Sequence, residues 1–230
     1  MASMIRFAHR TRYVGRRRLV AGALPVLLAM MAWCGRGAVL SGLGSVLVRE
    51  DPLTPVDMII VSNADPAADA LEAERLYRTG VGGVIILPLW VSEPLDDELQ
   101  QLQIPHLRTT ALANAVLQRS GVPSRAIDVL STPVDGTQAE IAAVAAFARR
   151  TLPQSLLFIT ARSHTARARW ALRRRLPTQI RVVVRSPRTD AFATDSWWHR
   201  RDQSREVAME YLRWVNTFIL QDPWGTRMHG

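Results

Sequence analysis

Ser155-Leu156-Leu157-Phe158-Ile159-Thr160-Ala161-Arg162-Ser163-His164-Thr165-Ala166-Arg167-Ala168-Arg169-Trp170 is the stretch on which the fold turns. Its first five residues are uncharged and mostly apolar, the pattern of a strand buried on both faces. Thr160 opens a polar segment, and Ser163 stands where a helix N-cap is expected. Beyond it Ala166, Trp170, Ala171 and Leu172 give an apolar stripe at helical spacing. His164 and Arg167, three apart, are expected on one exposed side of the first turn. A strand, a polar turn and a helix start with His and Arg describe the crevice at the carboxyl edge of an open α/β sheet. N–H groups without partners at such a helix start, beside an Arg, suit an anion such as phosphate.

The same alternation continues in both directions. Residues 57–62 read as a buried strand ending in the turn Ser62-Asn63-Ala64-Asp65-Pro66, followed by a helix over 67–78 that Gly80 closes. A second strand is predicted over 84–87, a short acidic helix within 93–103, a helix over 109–120 closed by Gly121, and a third strand over 126–130. Gly136-Thr137-Gln138-Ala139-Glu140 opens an Ala-rich helix to about Thr151. After the fourth strand and its helix come a fifth strand over 180–185, a loop holding Trp197-Trp198, and an amphipathic helix over 203–220. In that last helix Val207, Tyr211, Trp214, Val215 and Phe218 share a side. Strands alternating with helices imply a Rossmann-like α/β three-layer sandwich on a mainly parallel sheet of about five strands.

Charge is concentrated at one end. All 29 basic residues are Arg, and seven of them lie in the first 48 residues, which contain no acid. From Arg49 onward 22 Arg stand against 20 acids, a formal +2. A near-balanced domain without a basic, aromatic-interleaved stripe argues against nucleic acid as a partner. Residues 19–35 form a 17-residue uncharged run preceded by six Arg. A second uncharged stretch, 37–48, lengthens it if Arg36 snorkels. We therefore expect a transmembrane helix, with the N-terminus in the cytoplasm and the domain outside. A cleaved signal peptide is the rival reading. The expected organisation is a cytoplasmic Arg-rich tail (1–18), a membrane anchor and juxtamembrane segment (19–48), a linker (49–55), the α/β domain (56–222) and a tail (223–230). A lone Cys34 and five scattered His exclude a metal centre of ordinary spacing.

Several segments together resemble the YdcF-like family, which includes the SanA and ElyC envelope proteins. They are the strand at Asp57 to Ser62 after an anchor, Gly121-Val122-Pro123, and Asp135-Gly136-Thr137 with Glu140. To these are added Thr160…Ser163-His164-Thr165-Ala166-Arg167-Ala168 and Asp195…Trp197-Trp198…Arg201…Glu206…Glu210-Tyr211-Leu212. The resemblance implies a Rossmann-like sandwich, usually membrane-tethered, linked to envelope integrity and to the lipid carrier of cell-wall precursors. The chain departs from the family pattern where Ser62-Asn63 replaces Gly-Gly and Pro88-Leu89-Trp90 replaces Ser-Gly-Gly.

Asn63, Asp65, Thr137, Glu140, Ser163, His164, Arg167 and Trp198 are the candidate ligand-binding residues, with His164 and Glu140 as candidate acid or base groups. Each has a structural alternative. Asn-x-Asp-Pro is ordinary turn chemistry, Thr137 with Glu140 matches a capping box, and Trp197-Trp198 can pack the last helix. The expected ligand is an anionic small molecule or a lipid-linked phosphate at the membrane. The alternatives are a non-enzymatic envelope scaffold or a nucleotide or S-adenosylmethionine binder. Binding is better supported than turnover, because Ser163 lies in no Gly-x-Ser-x-Gly elbow and acids are too sparse for a two-metal site. No cofactor is specified.

Overall fold

In a computed structural model, which describes residues 30, 33, 35–91, 94–104 and 109–221, five strands form one all-parallel sheet. They are β1 (Val56–Val61), β2 (Gly82–Trp90), β3 (Ile127–Val134), β4 (Ser155–Ile159) and β5 (Arg181–Arg185), in the order β3-β2-β1-β4-β5. The helices are α1 (35–47), α2 (Pro66–Arg78), α3 (Pro94–Gln101), α4 (Thr109–Arg119), α5 (Thr137–Thr151), α6 (Thr165–Arg175) and α7 (Arg201–Val215). The chain thus has the Rossmann-like α/β arrangement expected of it.

Strand alternation sorts the core into two layers. Met58 and Ile60 of β1, Leu156 and Phe158 of β4, and Val182 and Val184 of β5 pack on one face with Ile141, Val144, Ala168 and Leu172 of α5 and α6. Ile59, Val61, Leu157, Ile159 and Val183 face the other way, against Ala70, Ala73 and Leu76 of α2 and Ala113 and Leu117 of α4. Residues 58–61 of β1 and 156–159 of β4 are buried on both sides, which is why they read as uninterrupted apolar runs. Gly80 and Gly121, at φ 74° and 92°, end the two helices on that second face.

β2 and β3 run farther than the apolar pattern predicts, through Pro88 and Pro133 respectively. Pro133 is tolerated because β3 is an edge strand. Pro88 has no N–H to give, and the register shifts between Leu87 and Leu89. Thr110 of α4 repairs the gap: its hydroxyl donates to the Pro88 carbonyl at 2.9 Å and accepts the Trp90 N–H at 3.0 Å. That bond sets Trp90 at the carboxyl end of the sheet.

The opposite edge is strapped. The Asp51 N–H donates to the Val184 carbonyl at 3.0 Å, and Asp51 Oδ2 accepts the Val184 N–H at 3.2 Å. Glu50 accepts from the Ser186 N–H and hydroxyl, and Asp51 takes the Arg169 guanidinium at 2.7 Å. The segment read as a linker is therefore a docked strap that covers the β5 edge.

A third apolar cluster joins Leu47 of α1, Phe192, Trp197 and Val207 of α7, with Leu40, Val48, Trp198 and Tyr211 packed around it. Trp197 Nε1 donates to the Leu40 carbonyl at 2.9 Å, and Tyr211 Oη to the Leu43 carbonyl at 2.8 Å. A Cβ at Gly44 would sit 2.8 Å from the Trp197 ring, so glycine permits this close approach. Among the described residues no helix is long and apolar enough to cross a membrane. The expected cytoplasmic tail, nearly all of the uncharged run 19–35 and the tail 223–230 lie outside the described residues.

Candidate functional site

The strand order reverses between β1 and β4, so their following loops part to opposite faces and open a crevice. A cavity of about 360 Å³ occupies it. Ser62, Asn63, Ala64, Thr137, Glu140, Ala161, Ser163, His164, Arg167 and Trp90 contribute to its wall, and Glu206, Glu210 and Arg213 close it from α7.

The floor is a small polar network at the ends of the two central strands. Ser62 Oγ lies 3.0 Å from Thr160 Oγ1 and 3.4 Å from Asp69 Oδ2, and accepts the Ala64 N–H. The Asp65 N–H donates to Asp69 Oδ2, while Asp65 Oδ1 caps α2 through the Ala68 N–H at 3.1 Å. Asp65 thus serves as the α2 N-cap and lines a neighbouring hollow rather than this one. The Ala64 and Asp65 N–H groups are taken up by Ser62 and Asp69, the Ser62 N–H pairs with the Ile159 carbonyl, and the Asn63 N–H is turned toward Glu140. Nothing here reproduces the open glycine cradle that receives a diphosphate in dinucleotide-binding sheets.

The α6 start differs from the sequence expectation. Residues Arg162–His164 form a 3-10 turn before Thr165, and His164, not Ser163, takes the N-cap position without a side-chain cap. The N–H groups of Arg162, His164 and Thr165 go to Asp190, Ala161 and Arg162. The helix start is therefore not the row of open donors expected, and the Ser163 hydroxyl instead donates to Glu206. His164 and Arg167 also prove buried, at 8% and 3% exposure, because α7 lies over them.

Glu210 of α7 organises that wall. Its carboxylate accepts from Arg167 Nε at 2.6 Å and Nη2 at 3.2 Å, lies 3.1 Å from His164 Nδ1, and meets Arg213 Nη1 at 3.5 Å. Burial pushes the Glu210 carboxyl upward, but hydrogen bonds from His164 and Arg167, with the Arg167 charge, overcome this and hold it at about 2. Burial lowers His164 below the ordinary imidazole value, against the pull of Glu210, so the ring is neutral at pH 7. The network then assigns its proton to Nδ1, toward the carboxylate, and leaves Nε2 as an acceptor. Of the five Arg167 N–H donors, Glu210 uses two, and no described residue takes the others.

Across the cavity, Gly136 is the N-cap of α5 and no side chain caps it. Thr137 and Glu140 consequently form no capping box, and both line the cavity. Glu140 is 2% exposed, and its Oε1 has no hydrogen-bond partner. Burial first, and then the Asp69 carboxyl, push it up to about 8, against the Asn63 N–H and the Arg167 charge. Burial likewise pushes Asp69 to about 8, and its Oδ1 is unpartnered too. Glu206 is raised by burial against the Ser163 bond.

Asn63, Thr137, Glu140, Ser163, His164 and Arg167 are thus brought together. Trp198 is not among the lining residues; it packs in the cluster that holds α1. Sequence reasoning did not assign Glu206, Glu210 and Arg213 to the site, although Gln203, Val207, Glu210 and Thr217 share one buried face of the last helical segment. Among the described residues no group of three or more His, Cys, Asp or Glu side chains is placed to hold a metal ion. Compared with protein-family models, curated proteins and solved structures, the chain has no match.

Proposed function

We propose that this protein binds an anionic, phosphate-bearing metabolite in the cavity at the β1/β4 switch point, as a divergent member of the YdcF-like family. One observation carries the reading. Arg167 is fixed by two hydrogen bonds to Glu210 and keeps three N–H donors for a cavity it shares with Arg213, His164 and Glu140. A guanidinium oriented in advance loses little freedom when an oxyanion arrives.

Trp90 also lines a second hollow of about 470 Å³, walled mostly by Leu89, Val91, Ala111 and Pro133 with Thr110 and Asn114. A charged chamber beside an apolar one, with an indole between them, suits a phosphate carried on a hydrocarbon chain. This supports a lipid-carrier phosphate as the ligand and agrees with an anchored domain on the outer side of a bacterial cytoplasmic membrane. The N–H groups after β1, engaged by Ser62 and Asp69 or turned toward Glu140, speak against a nucleotide. A scaffold role draws support from the pairing of all three basic groups with Glu210.

The test is titration of the full chain in detergent with polyprenyl phosphate, inorganic phosphate and S-adenosylmethionine. Binding of the two phosphates, weakened at least about tenfold by Arg167→Ala, is the expected result. A response to S-adenosylmethionine alone, or to none of the three, overturns it.

A further inference from the structure

We infer that Glu140 meets the ligand as a neutral carboxylic acid, donating a hydrogen bond to an oxyanion, so that this side chain selects a fully deprotonated dianion and couples its binding to a proton. The inference rests on the anion-binding reading and adds to it the charge state that the site prefers.

Geometry leads to it. Glu140 is 2% exposed, lines the cavity, and has an oxygen, Oε1, without any partner. A buried carboxyl oxygen without a partner, on a residue that lines the cavity, gains a partner when a hydrogen-bonding group enters beside it. As an ionised carboxylate it would face the incoming anion with like charge, and it would also face Asp69 on α2. As an acid it supplies an O–H donor that extends the Arg167 donors across the cavity. The charged and titratable groups around it are Asp69 from α2, His164 and Arg167 from the α6 side, and Glu206, Glu210 and Arg213 from α7. Of these, Glu210 is held ionised by its three basic partners, and Glu206 is engaged by Ser163. Arg167 favours the ionised form of Glu140, but burial and Asp69 outweigh it. Glu140 is therefore in the donor form at neutral pH, with its ordinary value of 4.5 pushed up to about 8.

Linkage fixes the sign. A ligand that requires the protonated acid binds with constant affinity below the value of the free site and loses about tenfold per pH unit above it. Sulfate is the decisive probe, because its own charge does not change over the range that matters. Its affinity for the full chain in detergent is measured by calorimetry from about pH 6 to about pH 9.5, bracketing the Glu140 transition.

The expected profile is flat to about pH 8 and falls about tenfold per unit beyond it. Glu140→Gln, whose amide still donates, is expected to bind about threefold more weakly with no pH dependence. Asp69→Asn is expected to move the midpoint downward without removing the transition. A flat wild-type profile overturns the inference while leaving the anion site standing; absence of sulfate and phosphate binding at every pH overturns both. A transition that persists in Glu140→Gln, or disappears in Asp69→Asn, assigns the proton elsewhere and also overturns the inference.

Discussion

Replacing Glu140 by Gln tests the electrostatics of the site through stability, without any ligand. In the unfolded chain the carboxyl titrates at its ordinary value of 4.5, whereas in the native protein burial and Asp69 push it up to about 8. Between those values the native state holds a proton that the unfolded state has released. Native stability therefore falls as pH rises through this window, by about 1.4 kcal/mol per pH unit, and levels off above it. At pH 7 the accumulated penalty is about 3 kcal/mol, approaching about 5 kcal/mol beyond pH 8. Glutamine cannot ionise and fills nearly the same volume, so the variant escapes this loss. Urea unfolding of the full chain, followed by tryptophan fluorescence in buffer without phosphate or sulfate, gives the comparison. The variant should match wild type near pH 4.5 and exceed it by about 3 kcal/mol at pH 7. Asp69 pulls the same way, so some slope should persist in the variant. A stability difference that stays constant across this window would refute the claim that Glu140 is a buried neutral acid.

Glu210→Gln should behave in the opposite sense: its carboxyl, held at about 2, stabilises above the ordinary 4.5 and loses that effect as pH falls to 2. The variant should lose about 3 kcal/mol at pH 7 and little near pH 2, read by the same unfolding assay. Gly44→Ala places a Cβ 2.7 Å from the Thr194 carbonyl and 2.8 Å from the Trp197 ring. It should lift α1 and speed amide exchange at Val48, while β1 and β4 stay protected. Asp51→Ala removes the acceptor of the Val184 N–H and the partner of Arg169. Exchange of the Val184 amide should quicken at least about tenfold, for a loss of about 2 kcal/mol.

Legibility followed burial. β4 coincides with the predicted strand because both of its faces are covered, so nothing polar interrupts it. The second strand was cut short at Pro88, whose missing N–H Thr110 makes good from another element, and the third at Leu130, before the polar Ser131-Thr132 and the Pro133 that an edge strand tolerates. His164, Arg167, Thr137 and Glu140 could be placed because each opens a helix directly after a strand. Ser163 was assigned the wrong task because a 3-10 turn displaced the helix start by one residue. The α7 wall was the least legible part. Glu206 and Glu210 entered only as part of the segment that carries the family resemblance, and no local pattern reveals that they turn toward Ser163, His164 and Arg167.

Tyr211 follows Glu210 directly in the chain, and its hydroxyl grips the backbone of α1 at Leu43 while Glu210 grips Arg167 and His164. Together with the strap at Glu50 and Asp51, this makes the amino-terminal helix a rigid bracket rather than a leash. One turn of α7 thus carries both the clamp on the guanidinium and the clasp on α1, so that the position of that helix and the orientation of Arg167 are set by neighbouring residues.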